Sequence, residues 1–147
     1  MQEETLFTYS AEETFAFAKK LADEAKPGTV ITLNGDLGAG KTVFAQGFAS
    51  GLGIEDYVNS PTFTILQVYE GGRLPLYHFD VYRIADPDEM DEIGFDEYVY
   101  GEGVSLIEWA ELIRDILPEN RTDIVITRDI SRGNNVRQIS IKNREKG

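Results

Sequence analysis

The chain contains no cysteine. That excludes disulfides and every metal site built on thiolate. A single histidine, His78, excludes a histidine-cluster metal centre as well. No apolar run approaches the ~18 residues of a membrane span, and no leader pattern heads the sequence as given. A cytoplasmic protein without membrane contact is therefore expected. Basic residues are scarce: 14 Lys and Arg stand against 26 Asp and Glu, a net charge of −12. Such a surface repels phosphate backbones, so direct high-affinity binding of nucleic acid is disfavoured. The same excess of acid suits solubility, or steering of a basic protein partner. Internal repeats, low-complexity segments and clear linkers are also missing. At 147 residues, 41% hydrophobic and 27% charged, the chain is expected to fold as one domain over 1–147.

What is present is organised around Gly35-Asp36-Leu37-Gly38-Ala39-Gly40-Lys41-Thr42. This reads G-x-x-x-x-G-K-T, the phosphate-binding loop of P-loop NTPases. The apolar run Val30 to Leu33 before it predicts a buried strand. Phe44, Ala45, Phe48, Ala49 and Leu52 after it fall at helical spacing. Glycines let backbone N–H groups approach phosphate oxygens, and a helix N-terminus adds unpaired N–H groups and a positive dipole end. Lys41 is expected on the outer phosphates and the Thr42 hydroxyl on magnesium. A nucleotide, ATP or ADP, with Mg2+ is the expected cofactor.

Around that unit, Ser10 and Glu13 fit a capping box ahead of a helix that Pro27-Gly28 stops. Phe63 to Tyr69 and Leu74 to Tyr82 read as strands joined at Gly71-Gly72. Asp86-Pro87-Asp88-Glu89 starts a helix whose acidic run extends to Glu97. Val104 to Glu108 reads as a central strand, and Ala110 to Leu117 as a short helix stopped before Pro118. Asp123 to Thr127 and Val136 to Lys142 read as two further strands. The fold class that follows is α/β, a P-loop NTPase-like three-layer sandwich. Its mixed sheet has parallel core strands and an antiparallel hairpin portion.

A P-loop site needs an acid at the end of a neighbouring buried strand. Two residues qualify, Glu108 and Asp80. His78 shares a strand face with Asp80 and either orients that carboxylate or is a satisfied structural histidine. Thr62, in a loop after proline, suits a γ-phosphate sensor. Trp109 packs near nucleotide or fills core, and Arg132 reaches a base or phosphate or is a surface turn arginine. No N-K-x-D motif occurs, and the D-x-x-G at Asp91 lies in an acidic helical stretch, so a GTPase is not supported. A small-molecule kinase and a nucleotide-sensing module without turnover remain alternatives.

Four segments in this order resemble the TsaE family, also called YjeE or YdiB: Gly35 to Thr42, Asn59-Ser60-Pro61-Thr62-Phe63-Thr64, Tyr77-His78-Phe79-Asp80-Val81-Tyr82-Arg83, and Leu106-Ile107-Glu108-Trp109. The resemblance covers nearly the whole chain. It implies a weak ATPase of bacterial tRNA threonylcarbamoyladenosine biosynthesis, acting with TsaB and TsaD and meeting tRNA only indirectly. It also implies Lys41 on phosphate, Thr42 and Glu108 at magnesium, Asp80 as catalytic or water-orienting acid, and Thr62 as a switch. The start of the first helix, Ser10-Ala11, and the turn at Arg132 would lie near the base. Asp36, Leu37, Gly38, Ala39, Gly40 and Val43 complete the nucleotide contacts. Val43 stands where a second hydroxyl is usual, which removes one possible phosphate hydrogen bond.

Overall fold

The computed structural model describes residues 2–35, 39–55, 58 and 65–144. Its elements run β1 (Gln2–Thr8), α1 (Ala11–Asp23), β2 (Val30–Asn34), α2 (Lys41–Gly51), β3 (Leu66–Tyr69), β4 (Leu76–Asp80), α3 (Glu89–Glu92), α4 (Phe95–Val99), β5 (Val104–Glu108), a 3-10 helix (Ala110–Ile116), β6 (Arg121–Arg128) and β7 (Arg137–Arg144). The strands form a seven-stranded sheet in the order β1-β7-β6-β2-β5-β4-β3. Strands β4, β5, β2 and β6 are mutually parallel. Antiparallel partners flank them on both sides, β3 on one edge and β7 with β1 on the other.

Alternation along each strand sorts the core into two layers. Ile31 and Leu33 of β2, with Leu106 of β5 and Ile124 of β6, face α1 and α2. Val30, Phe79 and Ile107 face Met90, Phe95, Val99 and the 3-10 helix. Phe44 and Phe48 of α2 are fully buried and lie 6.3 Å apart. Each such side chain contributes about 1.5–3 kcal/mol through burial. Helices α1 and α2 meet backbone to backbone. A Cβ on Gly47 or on Gly51 would lie 2.4 Å from the carbonyl oxygens of Phe15 and Lys19 respectively. Only glycine permits that approach.

At the end of the sheet where β2 and β6 begin, Asp123 forms a closed polar knot. The Thr32 hydroxyl donates to its Oδ1 at 2.6 Å, Arg121 Nε donates to the same atom at 3.0 Å, and Arg144 donates to Oδ2. Burial pushes the Asp123 carboxyl up. Hydrogen bonds from Thr32 and Arg144, with the charge of Arg121, outweigh burial and hold it below its ordinary 3.8. A cleft of about 570 Å³ opens beside this knot, between Lys26, Arg121 and Arg144.

Several elements differ from the sequence reading. Strand β1 was not anticipated: its acidic start hides the alternation, and it is identified by its full register with β7. Of the strand read from Phe63 to Tyr69, Phe63 and Thr64 lie outside the described residues and β3 covers Leu66–Tyr69, while the strand read from Leu74 to Tyr82 is Leu76–Asp80. The acidic helix over Asp86 to Glu97 is two short helices, because Gly94 adopts a left-handed conformation at φ +76° between them. The bonds of the expected capping box form ahead of α3, whose own N-cap is Asp88 with no side-chain cap bond. Asp86 Oδ1 accepts from Asp88 N–H at 2.9 Å, and Glu89 Oε2 accepts from Asp86 N–H at 2.9 Å. The helix after Glu108 is of the 3-10 type, broken at Ile113.

Candidate functional site

Two helices start side by side in opposite ways. Helix α1 has a side-chain cap, Ser10 Oγ accepting from Glu13 N–H at 3.1 Å, and carries Glu12 and Glu13 in its first turn. Those groups complement its own N–H donors and dipole. Helix α2 starts at Gly40, left-handed at φ +107°, with no side-chain cap and no acid in its first turn. Its first helical residue is Lys41. A helix end of this kind leaves N–H groups and positive potential for an anion.

The chain reaches that point through Gly35, whose missing side chain lets the backbone pass Ile126; a Cβ there would lie 2.4 Å from the Ile126 carbonyl oxygen. Ala39 is buried, Thr42 is exposed and Val43 is half-buried. Asp36, Leu37 and Gly38 lie outside the described residues, as does Thr62. Arg137, the first residue of β7, donates from Nε to the Ala39 carbonyl at 2.9 Å and from Nη1 to Asn134 at 3.1 Å. It ties the phosphate loop to the turn before β7. Sequence reasoning missed it, because 98 positions separate the partners and no local pattern marks them.

The two expected acids stand side by side. Asp80 ends β4, Glu108 ends β5, and they are register partners. Glu108 is also the register partner of Leu33 on β2, one strand from the loop. Both are buried, at 8% and 3% exposure. Asp80 Oδ1 accepts from Tyr82 N–H at 3.0 Å. Glu108 Oε2 lies 2.6 Å from His78 Nε2. His78 therefore serves Glu108, on the neighbouring strand, where the sequence reading had considered Asp80.

Beyond Glu108 the chain turns through Trp109, a left-handed non-glycine residue at φ +62°. Backbone strain of this kind persists where surroundings fix it and clusters at functional sites. The turn presents the indole to Lys41, whose Nζ lies 4.1 Å from the ring centroid. Tyr82 packs against the same indole, with ring centroids 4.8 Å apart. Arg132 lies 4.0 Å over the Phe7 ring and pairs with Asp129 at 3.0 Å. Ala11 opens α1 and is exposed. Thus Lys41, Asp80, Glu108 and Trp109 share the C-terminal end of the parallel strands. Arg132 is fixed at the end of β1.

An oxygen-only donor set, the Thr42 hydroxyl and the Glu108 carboxylate, has the hardness Mg2+ requires. Among the described residues no group of three or more His, Cys, Asp and Glu could hold a metal unaided.

A family model described as Threonylcarbamoyl adenosine biosynthesis protein TsaE matches residues 8–139. A Bacillus subtilis tRNA threonylcarbamoyladenosine biosynthesis protein TsaE is 60% identical over 121 residues, 82% of this chain and 75% of the relative. Its Treponema pallidum counterpart is 45% identical over 132 residues, 90% of this chain and 95% of the relative. The crystal structure of Bacillus subtilis YdiB superposes with a TM-score of 0.81 at 46% identity, covering 98% of this chain and 87% of that one.

Proposed function

The chain belongs to the TsaE family of threonylcarbamoyl adenosine biosynthesis proteins, and from that premise we propose that it is the ATP-binding and -hydrolysing component of tRNA threonylcarbamoyladenosine formation, a single domain acting with TsaB and TsaD. One observation carries the ATPase part. The uncapped start of α2, with Lys41 first, lies at the same end of the sheet as two buried acids on adjacent strands.

In this reading backbone N–H groups from Asp36 to Val43 cradle the phosphates, and the Lys41 ammonium leaves the Trp109 ring to meet them. Thr42 and Glu108 hold Mg2+, which neutralises charge on the phosphate oxygens. Asp80, its carboxylate steadied by Tyr82 N–H, orients the attacking water. Thr62 senses the γ-phosphate, and Ala11 and Arg132 border the base. An isolated site of this type hydrolyses slowly, since positioning and charge stabilisation are incomplete. TsaB and TsaD supply or order what is missing. The acid-rich segment from Asp86 to Glu97 steers the encounter with a basic surface. Hydrolysis resets the complex between rounds of modification, and this chain does not itself transfer the threonylcarbamoyl group. Among the described residues no helix is long and apolar enough to cross a membrane.

The test is a pull-down with TsaB and TsaD in ATP, ADP and no nucleotide, with turnover measured on the complex. Association is expected to be strongest with ATP, and turnover to rise on association. Equal association in all three states with unchanged turnover would leave a passive nucleotide-binding domain.

A further inference from the structure

His78 is the chain's only histidine, and it is completely buried. It stands on β4 two residues before Asp80, in register with Leu106 of β5. A carboxylate only accepts hydrogen bonds, so across the 2.6 Å contact His78 Nε2 carries the proton and donates to Glu108 Oε2. Among the described residues Nδ1 is buried with no hydrogen-bond partner. A proton there would be an orphaned buried donor, whereas a bare lone pair is the less costly state. The arrangement thus aims the Nε2–H at one carboxylate oxygen.

We propose that His78 is a positioning residue for the metal-binding carboxylate, holding Glu108 in the one rotamer from which it meets the nucleotide's divalent cation. The inference rests on the assignment of Glu108 to that cation, given above. A glutamate side chain has three rotatable bonds, and a ligand oxygen off target by a fraction of an ångström weakens coordination. Hydrogen-bond partners behind a ligating carboxylate typically account for 10–100-fold in metal affinity or activity. Placing the donor on the adjacent parallel strand makes it rigid: β4 and β5 are in continuous register from Leu76 to Asp80. A histidine that merely filled core space would need no carboxylate at 2.6 Å, and a phenylalanine would fill the volume as well.

The experiment measures Mn2+ binding to the full chain by electron paramagnetic resonance, with and without saturating ADP. Taking the ADP-dependent part removes diffuse binding to the acidic surface. Metal-free ADP affinity and thermal midpoint are measured in parallel. His78→Phe is expected to weaken ADP-dependent Mn2+ binding about tenfold, with metal-free ADP affinity within about twofold. His78→Gln, whose amide nitrogen reaches the Nε2 position, restores most of it. His78→Asn, one bond shorter, does not, and it carries the comparison if the phenylalanine variant fails to fold. A lowered thermal midpoint with wild-type Mn2+ affinity in the His78→Phe and His78→Asn variants overturns the proposal and leaves a structural histidine. Glu108→Gln serves as the reference. If it leaves Mn2+ binding unchanged, the assignment of Glu108 fails and the proposal falls with it; if it weakens binding while the His78 variants do not, only the role of His78 fails.

Discussion

The parallel strands carry carboxylates at both ends, and the two ends treat them differently. Where β2 and β6 begin, Asp123 receives a hydroxyl and two guanidinium groups, and its charge is answered within the chain. Where β4 and β5 finish, Asp80 and Glu108 lie side by side as register neighbours. They are steadied by a backbone N–H and an imidazole, beside a helix start that no side chain caps. The first arrangement stabilises the fold. The second sets two acids on adjacent strands at the sheet end where α2 begins with Lys41, the arrangement on which the proposed nucleotide site rests. An acid on a parallel strand does not by itself distinguish the two. Their partners do.

The sharpest break of this comparison is in turnover. Asp80→Asn is expected to slow hydrolysis by about a hundredfold or more, the scale of a lost positioned acid–base group, with ATP affinity nearly kept. Glu108→Gln should instead weaken magnesium-dependent nucleotide binding. Single-turnover rates paired with calorimetry separate the two, and a reversed pattern would exchange their roles. Next in size, Lys41→Ala should reduce ATP affinity by about 1.5–3 kcal/mol, the scale of a charged hydrogen bond. Its thermal midpoint should hold. Unchanged affinity by calorimetry would move the nucleotide site elsewhere.

At the other end the effects fall on stability. Asp123→Asn should destabilise by about 1–2 kcal/mol, reduced because its arginine partners are partly exposed. ATP affinity should not change. The folded carboxyl titrates below its unfolded counterpart, so its contribution is complete above the ordinary value of 3.8 and is lost as pH falls through the depressed one. Denaturant midpoints of parent and variant should therefore converge below about pH 4, and a gap that widened on acidification would contradict the assigned direction. Thr32→Val, removing one donor to the same carboxylate, should cost about 0.5–1.5 kcal/mol, read as a small shift in urea midpoint. A loss of nucleotide binding in either variant would erase the distinction between the two ends.

Much of this was legible in the chain because it is encoded locally. The strand–loop–helix unit around Lys41 is written in one continuous stretch from Val30 to Gly51. Glu108 and Asp80 announce themselves as acids closing apolar runs. Register is not local, and what depends on it was not readable. The partnership of His78 with Glu108 is set by the pairing of β4 with β5. The grip of Arg137 on Ala39 spans 98 positions. Strand β1 owes its state to β7, since its own residues show little alternation. Gly94 was visible, but whether a glycine bends or splits a helix depends on the φ it adopts. The positive φ of Trp109 had no signature in residue type, because tryptophan rarely takes it.

The glycine contact between α1 and α2 has a mechanical meaning. At Gly47 and Gly51, seated against the carbonyls of Phe15 and Lys19, the two helices touch with no side chain of α2 in between. A shift of α2 along these contacts is expected to carry over to α1, as in a lever cut from one piece. The solvent side of α1 thus becomes a gauge for events at the phosphate loop. A reporter on exposed Lys20, in the last turn of α1 and away from the base, would register the load without touching the ligand.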